Sequence, residues 1–105
     1  PIAARERYYA AIESDPEFVE ARASLGCVLA ESGQAELAVA AFRGALSLHE
    51  DYSETHYNLA RLLDDLGREV ESLHPWKRFL ELAPDSPWAN EATERIKAID
   101  EDGTG

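Results

Sequence analysis

The feature that most constrains this chain is a phrase written twice. His56 to Gly67 reads HYNLARLLDDLG, and 34 residues earlier Arg22 to Gly33 reads RASLGCVLAESG. Leu25 answers Leu59, Leu29 answers Leu63, and Gly33 answers Gly67. The register runs well beyond the phrase. Tyr8, Phe42 and Trp76 are 34 apart, as are Ile12, Leu46 and Leu80, and the small residues Ala4, Ala38 and Ser72. Pro16, Glu50 and Pro84 form a punctuation series from which Glu50 departs. A fixed period of this length, with two amphipathic patterns in each copy, marks a helical repeat array. One unit alone cannot bury its apolar face, so units must stack.

Within each period, Leu25, Val28, Leu29 and Ser32, like Leu59, Leu62, Leu63 and Leu66, fall at helical spacing. A second, broader stripe follows: Leu37, Ala38, Ala41, Phe42, Ala45, Leu46 and Leu48, echoed by Val70, Leu73, Trp76, Phe79, Leu80 and Leu82. The pattern predicts six helices over 2–14, 17–32, 35–48, 53–66, 69–82 and 87–100, with a tail that frays from Asp100. Gly33 and Gly67 sit where one helix ends and the next begins, a place for left-handed backbone. Asp15-Pro16 and Ser86-Pro87 read as helix N-caps followed by proline. Pro75 falls inside the fifth helix and is expected to kink it or delay its start, at a cost of about 3 kcal/mol if unrelieved.

Composition narrows the function classes. The chain has 105 residues and a net charge of −11, from 21 acidic and 10 basic side chains. The excess is spread along it: 9 acidic and 4 basic residues in 1–52, 12 and 6 in 53–105. With no basic patch, direct nucleic-acid binding is disfavoured, and a cationic partner would be attracted. The single Cys27 cannot form an internal disulfide and reads as a small apolar side chain. No apolar run approaches the ~20 residues of a membrane span. The expected location is the cytoplasm, with the periplasm open if the chain is a fragment.

The pattern resembles the tetratricopeptide repeat. Residues 19–52 carry its marks as Leu25-Gly26, Gly33, Ala38, Phe42 and Ala45. Residues 53–86 carry them as Tyr57-Asn58-Leu59-Ala60, Gly67, Trp76 and Pro84. Residues 1–18 look like the second half of an earlier repeat, 87–100 like a closing helix, and 101–105 a frayed tail. The resemblance implies an all-α fold of antiparallel helix pairs stacked in a right-handed superhelix, as one domain over 1–105. Phe79 departs from the pattern, standing where a small residue is usual. The phrase LELAPDSPWA resembles bacterial members of the family.

No enzymatic constellation stands out. His49 and His56 flank an acidic stretch, HEDYSETH, but they straddle an expected turn and lack zinc-ligand spacing, so the plain reading is a solvated acidic loop. His74 has no evident partner. There is no phosphate loop and no nucleophile with a placed base. The reading is a binding protein rather than an enzyme, with no cofactor and no metal.

In the family the first helix of each repeat lines a concave face that takes a peptide or partner helix. The resemblance places Glu20, Ala23, Cys27, Ala30 and Glu31 on that face in one repeat, and Glu54, Tyr57, Arg61, Asp64 and Asp65 in the next. Trp88, Glu91 and Arg95 continue it on the last helix. Six of these thirteen side chains are acidic and two basic, so a protein or peptide partner bearing Lys or Arg is the complement. The family's carboxylate clamp is not built here. Asn58 fits one of its positions, but Asp65 stands for a lysine, and Ala23 and Cys27 replace the lysine and asparagine before it. The alternative function is homo-oligomerisation, as a homodimer through the incomplete first repeat, whose stripe includes Ile2, Ala3, Tyr9 and Ile12.

Overall fold

The 34-residue register is built as helix pairs. The computed structural model describes the backbone of residues 2–15 and 18–104 and the side chains of residues 4–15 and 18–101. Six helices, and no strand among the described residues, follow in order: α1 Ile2–Ser14, α2 Val19–Glu31, α3 Ala35–Leu48, α4 Ser53–Asp65, α5 Glu69–Leu82 and α6 Ala89–Thr104. The fold class is all-α, as expected. The chain divides into two compact units, Pro1–Asp51 and Tyr52–Gly105.

In unit 1, α2 packs against α1 and α3. Its core joins Ala21, Leu25, Gly26 and Leu29 of α2 to Ala38, Val39, Phe42 and Ala45 of α3. Gly26 is required by the packing. A Cβ built there would lie 2.6 Å from two carbons of the Phe42 ring, closer than a carbon–carbon contact allows. Leu37 and Leu48 of the sequence-predicted stripe are exposed instead, so the buried face is narrower than its apolar pattern.

In unit 2, α5 packs against α4 and α6. Leu59, Ala60 and Leu63 of α4 are buried, as are Ser72, Trp76 and Phe79 of α5 and Ala92 and Ile99 of α6. Phe79 is accommodated because small residues, Ala60 and Ala92, share its cluster. Val70 is 86% exposed and takes no part.

The two interhelix turns are alike. Gly33 and Gly67 have φ of 80° and 76°, the left-handed conformation that glycine adopts at little cost. Around them Gly33 N–H donates to Ala30 O and Gln34 N–H to Leu29 O, while Gly67 N–H donates to Asp64 O and Arg68 N–H to Leu63 O. That paired pattern is the Schellman motif, which satisfies carbonyls a helix end would leave orphaned. Gln34 and Arg68 then accept the first bonds of the next helices, from Ala38 and Ser72.

Four expectations need correction. α5 starts at Glu69 and runs through Pro75 to Leu82 as one helix, so the late start does not occur; Pro75 is itself buried in the packed face. α2 begins at Val19 with Phe18 at its cap, not at an Asp15 cap; Pro16 lies outside the described residues. Ser86 Oγ accepts the Trp88 N–H at 3.1 Å in the turn that precedes α6, which starts at Ala89. The tail expected to fray from Asp100 is helical to Thr104. Lastly, His56 does not belong to a solvated loop. It is buried on α4, with His74 edge-on at 6.4 Å.

Candidate functional site

The first-helix positions expected on the binding face divide between the two units. On α2, Glu20 and Glu31 are exposed and Cys27 is half-buried. Of the self-association candidates, Tyr9 is exposed and Ile12 half-buried, while the side chains of Ile2 and Ala3 lie outside the described residues. Part of the expected set in unit 2 is brought together, without Tyr57 and Trp88. A cleft of about 270 Å³ is lined by Arg61, Asp64 and Asp65 of α4, Trp76 of α5, and Glu91 and Arg95 of α6. Glu54, also on α4, is exposed but does not line it.

Asp64 organises the floor. The side chain is 11% exposed and receives three donors: Trp76 Nε1 at 2.8 Å and Arg95 Nε at 2.8 Å on Oδ2, and Ser72 Oγ at 2.9 Å on Oδ1. Ser72 Oγ is equally near the Glu69 carbonyl, 2.9 Å, but the charged acceptor makes the stronger bond. Partial burial pushes the Asp64 carboxyl up, yet the bonds from Arg95, Trp76 and Ser72 outweigh it and hold the group below its ordinary range. One carboxylate thus ties three helices, and the Arg95 charge is spent inside the molecule.

Tyr57 is not a presented contact residue, as its position in the repeat implied. It is 6% exposed. Its ring stacks on Trp88 at 4.7 Å and meets Phe79 at 5.3 Å and Trp76 edge-on at 5.7 Å. Its hydroxyl donates to Glu91 Oε1 at 2.6 Å, a short charge-assisted bond. Burial, then the bond to Glu91, raises the phenol above its usual range. Arg61 lies over the same ring, 5.8 Å from its centroid, and 3.9 Å from Glu91. Trp88, 45% exposed, is the aromatic surface that remains.

Around this braced floor the cleft presents exposed Arg61, Asp65 and Glu91. Glu91 was visible in the sequence as a face position, one 34-residue period after the Tyr57 whose hydroxyl it accepts. Trp76 read only as core, because the indole ring is buried and just its N–H turns to Asp64. Among the described residues no group of three or more His, Cys, Asp or Glu could hold a metal ion, and no helix is long and apolar enough to cross a membrane. His49 Nε2 lies 2.8 Å from Asp51 Oδ1 in the turn before α4.

The comparison with solved structures settles the fold. The type III secretion chaperone SycD of Yersinia enterocolitica, in complex with a peptide of the translocator YopD, matches with a TM-score of 0.84. The match has 16% identity and covers 94% of this chain and 79% of that one. This is a tetratricopeptide-repeat fold. MamA matches at 0.85, with 21% identity, over 96% of this chain and 54% of its own. The first repeat domain of Spaghetti (RPAP3), bound to an HSP90 peptide, matches at 0.80 with 18% identity, over 96% and 80%. At these identities the likeness shows the fold. No family model matches the sequence, and no curated protein does either.

Proposed function

We propose that this protein binds a segment of another protein in the α4–α5–α6 cleft of unit 2, and that the segment carries Lys or Arg. The observation that carries the reading is the division of labour in that cleft. Asp64, Arg95, Ser72 and Trp76 are consumed in bracing it and Glu91 holds the Tyr57 hydroxyl beside Arg61, so the net negative charge of the exposed wall falls to Asp65. A pre-braced floor lowers the ordering cost of binding. The acidic surplus of the chain adds long-range attraction for a cation. SycD and RPAP3, with the same fold, are each seen with a peptide, which supports the peptide class of partner. The protein acts by binding, with no chemistry of its own.

The test is to pan a random-peptide display library on the whole chain and measure the recovered peptides by calorimetry. Peptides rich in Lys or Arg, weakened several-fold by Asp65→Asn and by raised salt, support the reading. Acidic or neutral peptides indifferent to Asp65→Asn overturn it.

Self-association through α1 is the second reading, favoured by the exposed ring of Tyr9. Light scattering across a tenfold concentration range decides it: a steady monomer removes it, and a dimer dispersed by Tyr9→Glu keeps it.

A further inference from the structure

The α4–α5–α6 cleft carries exposed charge of both signs, and the fold keeps the signs apart. Arg61 and Asp65 stand one turn apart on α4, a spacing at which opposite charges commonly pair. Here no ion pair joins them. Tyr57 is the reason. It lies one turn before Arg61, and helical side chains lean toward the helix N-terminus. The Arg61 guanidinium sits over the Tyr57 ring, 5.8 Å from its centroid, and 3.9 Å from Glu91. Trp88 and Phe79 hold that ring in place, so the lean of Arg61 away from Asp65 has a fixed footing. The other charges of the cleft are already committed. Arg95 meets Asp64 at 2.8 Å. One oxygen of Glu91 takes the Tyr57 hydroxyl at 2.6 Å, and the other faces the Nε edge of Arg61. A guanidinium also donates from its terminal nitrogens, and those of Arg61, a side chain 56% exposed, stay open to a ligand. Asp65 is exposed and has no hydrogen bond or ion pair among the described residues.

We propose that the partner segment carries an Asp or Glu side chain close to its Lys or Arg, and that Arg61 receives this acid while Asp65 receives the cation. The inference rests on the basic-segment reading of the same cleft and names the other half of what it recognises. Charge complementarity argues for it. A segment with basic side chains alone would lay cations beside Arg61 as well as Asp65, and like charges set together across an interface oppose binding. A segment with both signs satisfies both groups. Arginine suits the task, since its planar fork holds a carboxylate by paired N–H bonds. Arg61 and Asp65 are rooted about 6 Å apart on the helix, and the lean of Arg61 widens the gap between their charges. In an extended segment the acid and the base therefore stand about two to four residues apart.

The experiment pans a random-peptide library on the whole chain, on Arg61→Gln and on Asp65→Asn. The peptides are joined to their carrier through the C-terminus, so every carboxylate in the variable stretch is a side chain. The wild type is expected to enrich segments holding Lys or Arg with Asp or Glu at that spacing. Arg61→Gln loses the acidic preference and keeps the basic one, and Asp65→Asn does the reverse. One recovered peptide is then compared by calorimetry with a copy whose acid is replaced by the matching amide. On the wild type the acid is worth about fivefold in affinity, and on Arg61→Gln it is worth nothing. The wild-type comparison holds however the variants fold. A basic pool without acidic preference, or an acid whose removal leaves affinity unchanged or raises it, overturns this inference and leaves the basic-segment reading standing. An acidic preference that survives Arg61→Gln overturns it as well. A wild-type pool with no basic preference, or no enrichment at all, overturns the reading on which it rests.

Discussion

In the α2–α3 pair, Gly26 lies under the Phe42 ring, and the facing positions Ala30 and Ala38 are apolar. In the α4–α5 pair, one period later, Ala60 takes the place of the glycine, and the same three positions become Asp64, Ser72 and Trp76. The backbone frame is shared down to the bonds of the interhelix turn. The first pair relies on the close approach of apolar faces. The second closes on a carboxylate that receives two donors from α5 and one from α6. A repeat frame thus tolerates two kinds of adhesive. The polar one comes where a cleft is built, because groups that must stay half-wet still need fixed partners.

The largest effect that tests this contrast is expected at Asp64. Asp64→Ala leaves the Trp76 indole, the Ser72 hydroxyl and the Arg95 guanidinium without their shared acceptor and costs about 3 kcal/mol. Copying unit 1 at these positions, with Asp64→Ala, Ser72→Ala and Trp76→Phe together, removes two of the three stranded donors and recovers about half of that loss. Urea denaturation checks both. Both tryptophans lie in unit 2, so their fluorescence follows that unit. If the triple variant is no better than the single one, the network is not what distinguishes the two pairs.

Gly26→Ala comes next. The added methyl would have to displace the Phe42 ring, and overpacking of this kind costs about 2 kcal/mol. Thermal unfolding by circular dichroism reads it. A variant as stable as the wild type would mean that unit 1 is packed as loosely as its plain chemistry allows.

The turns should erase the contrast. Gly33→Ala and Gly67→Ala place a Cβ on left-handed backbone with nothing else in the way, and each is expected to cost about 1 kcal/mol. Equal losses in denaturation midpoint sharpen the comparison by confining the difference to the helix faces. A gap between them larger than about 0.5 kcal/mol would show that the turns differ too.

These ranks also mark how far the sequence could be read. The period, the six helices, the glycine turns and the paired large residues Phe42 and Trp76 were legible because each is a local or strictly periodic signal. The face of α4 was legible as a set of positions, and its cleft does gather Arg61, Asp64, Asp65 and Arg95. Their roles were not. Tyr57 looked presented because only the fold reveals that Trp88 and Phe79 close over it. Asp64 looked like one more surface acid because its donors lie 8, 12 and 31 residues away, at separations that follow no helical or repeat spacing. Pro75 looked like a breaker because the sequence shows its missing N–H and not the burial of its ring.

The smallest effect is the most specific to Asp64. Its folded pKa is held below the unfolded carboxylate value of about 3.9. Between the two values the unfolded chain takes up a proton that the folded chain refuses, so stability falls as pH drops. The contribution is complete above the unfolded pKa and is lost as pH falls through the folded one. Asp64→Asn has no such titration. The stability gap between wild type and Asp64→Asn should therefore hold steady near neutrality and narrow from about pH 5 downward. Urea midpoints at a series of acid pH values measure both proteins. A gap for Asp64→Asn that stays constant through the acid range would mean that the three donors hold the side chain by shape and not by its charge. The two helix pairs would then differ in geometry alone.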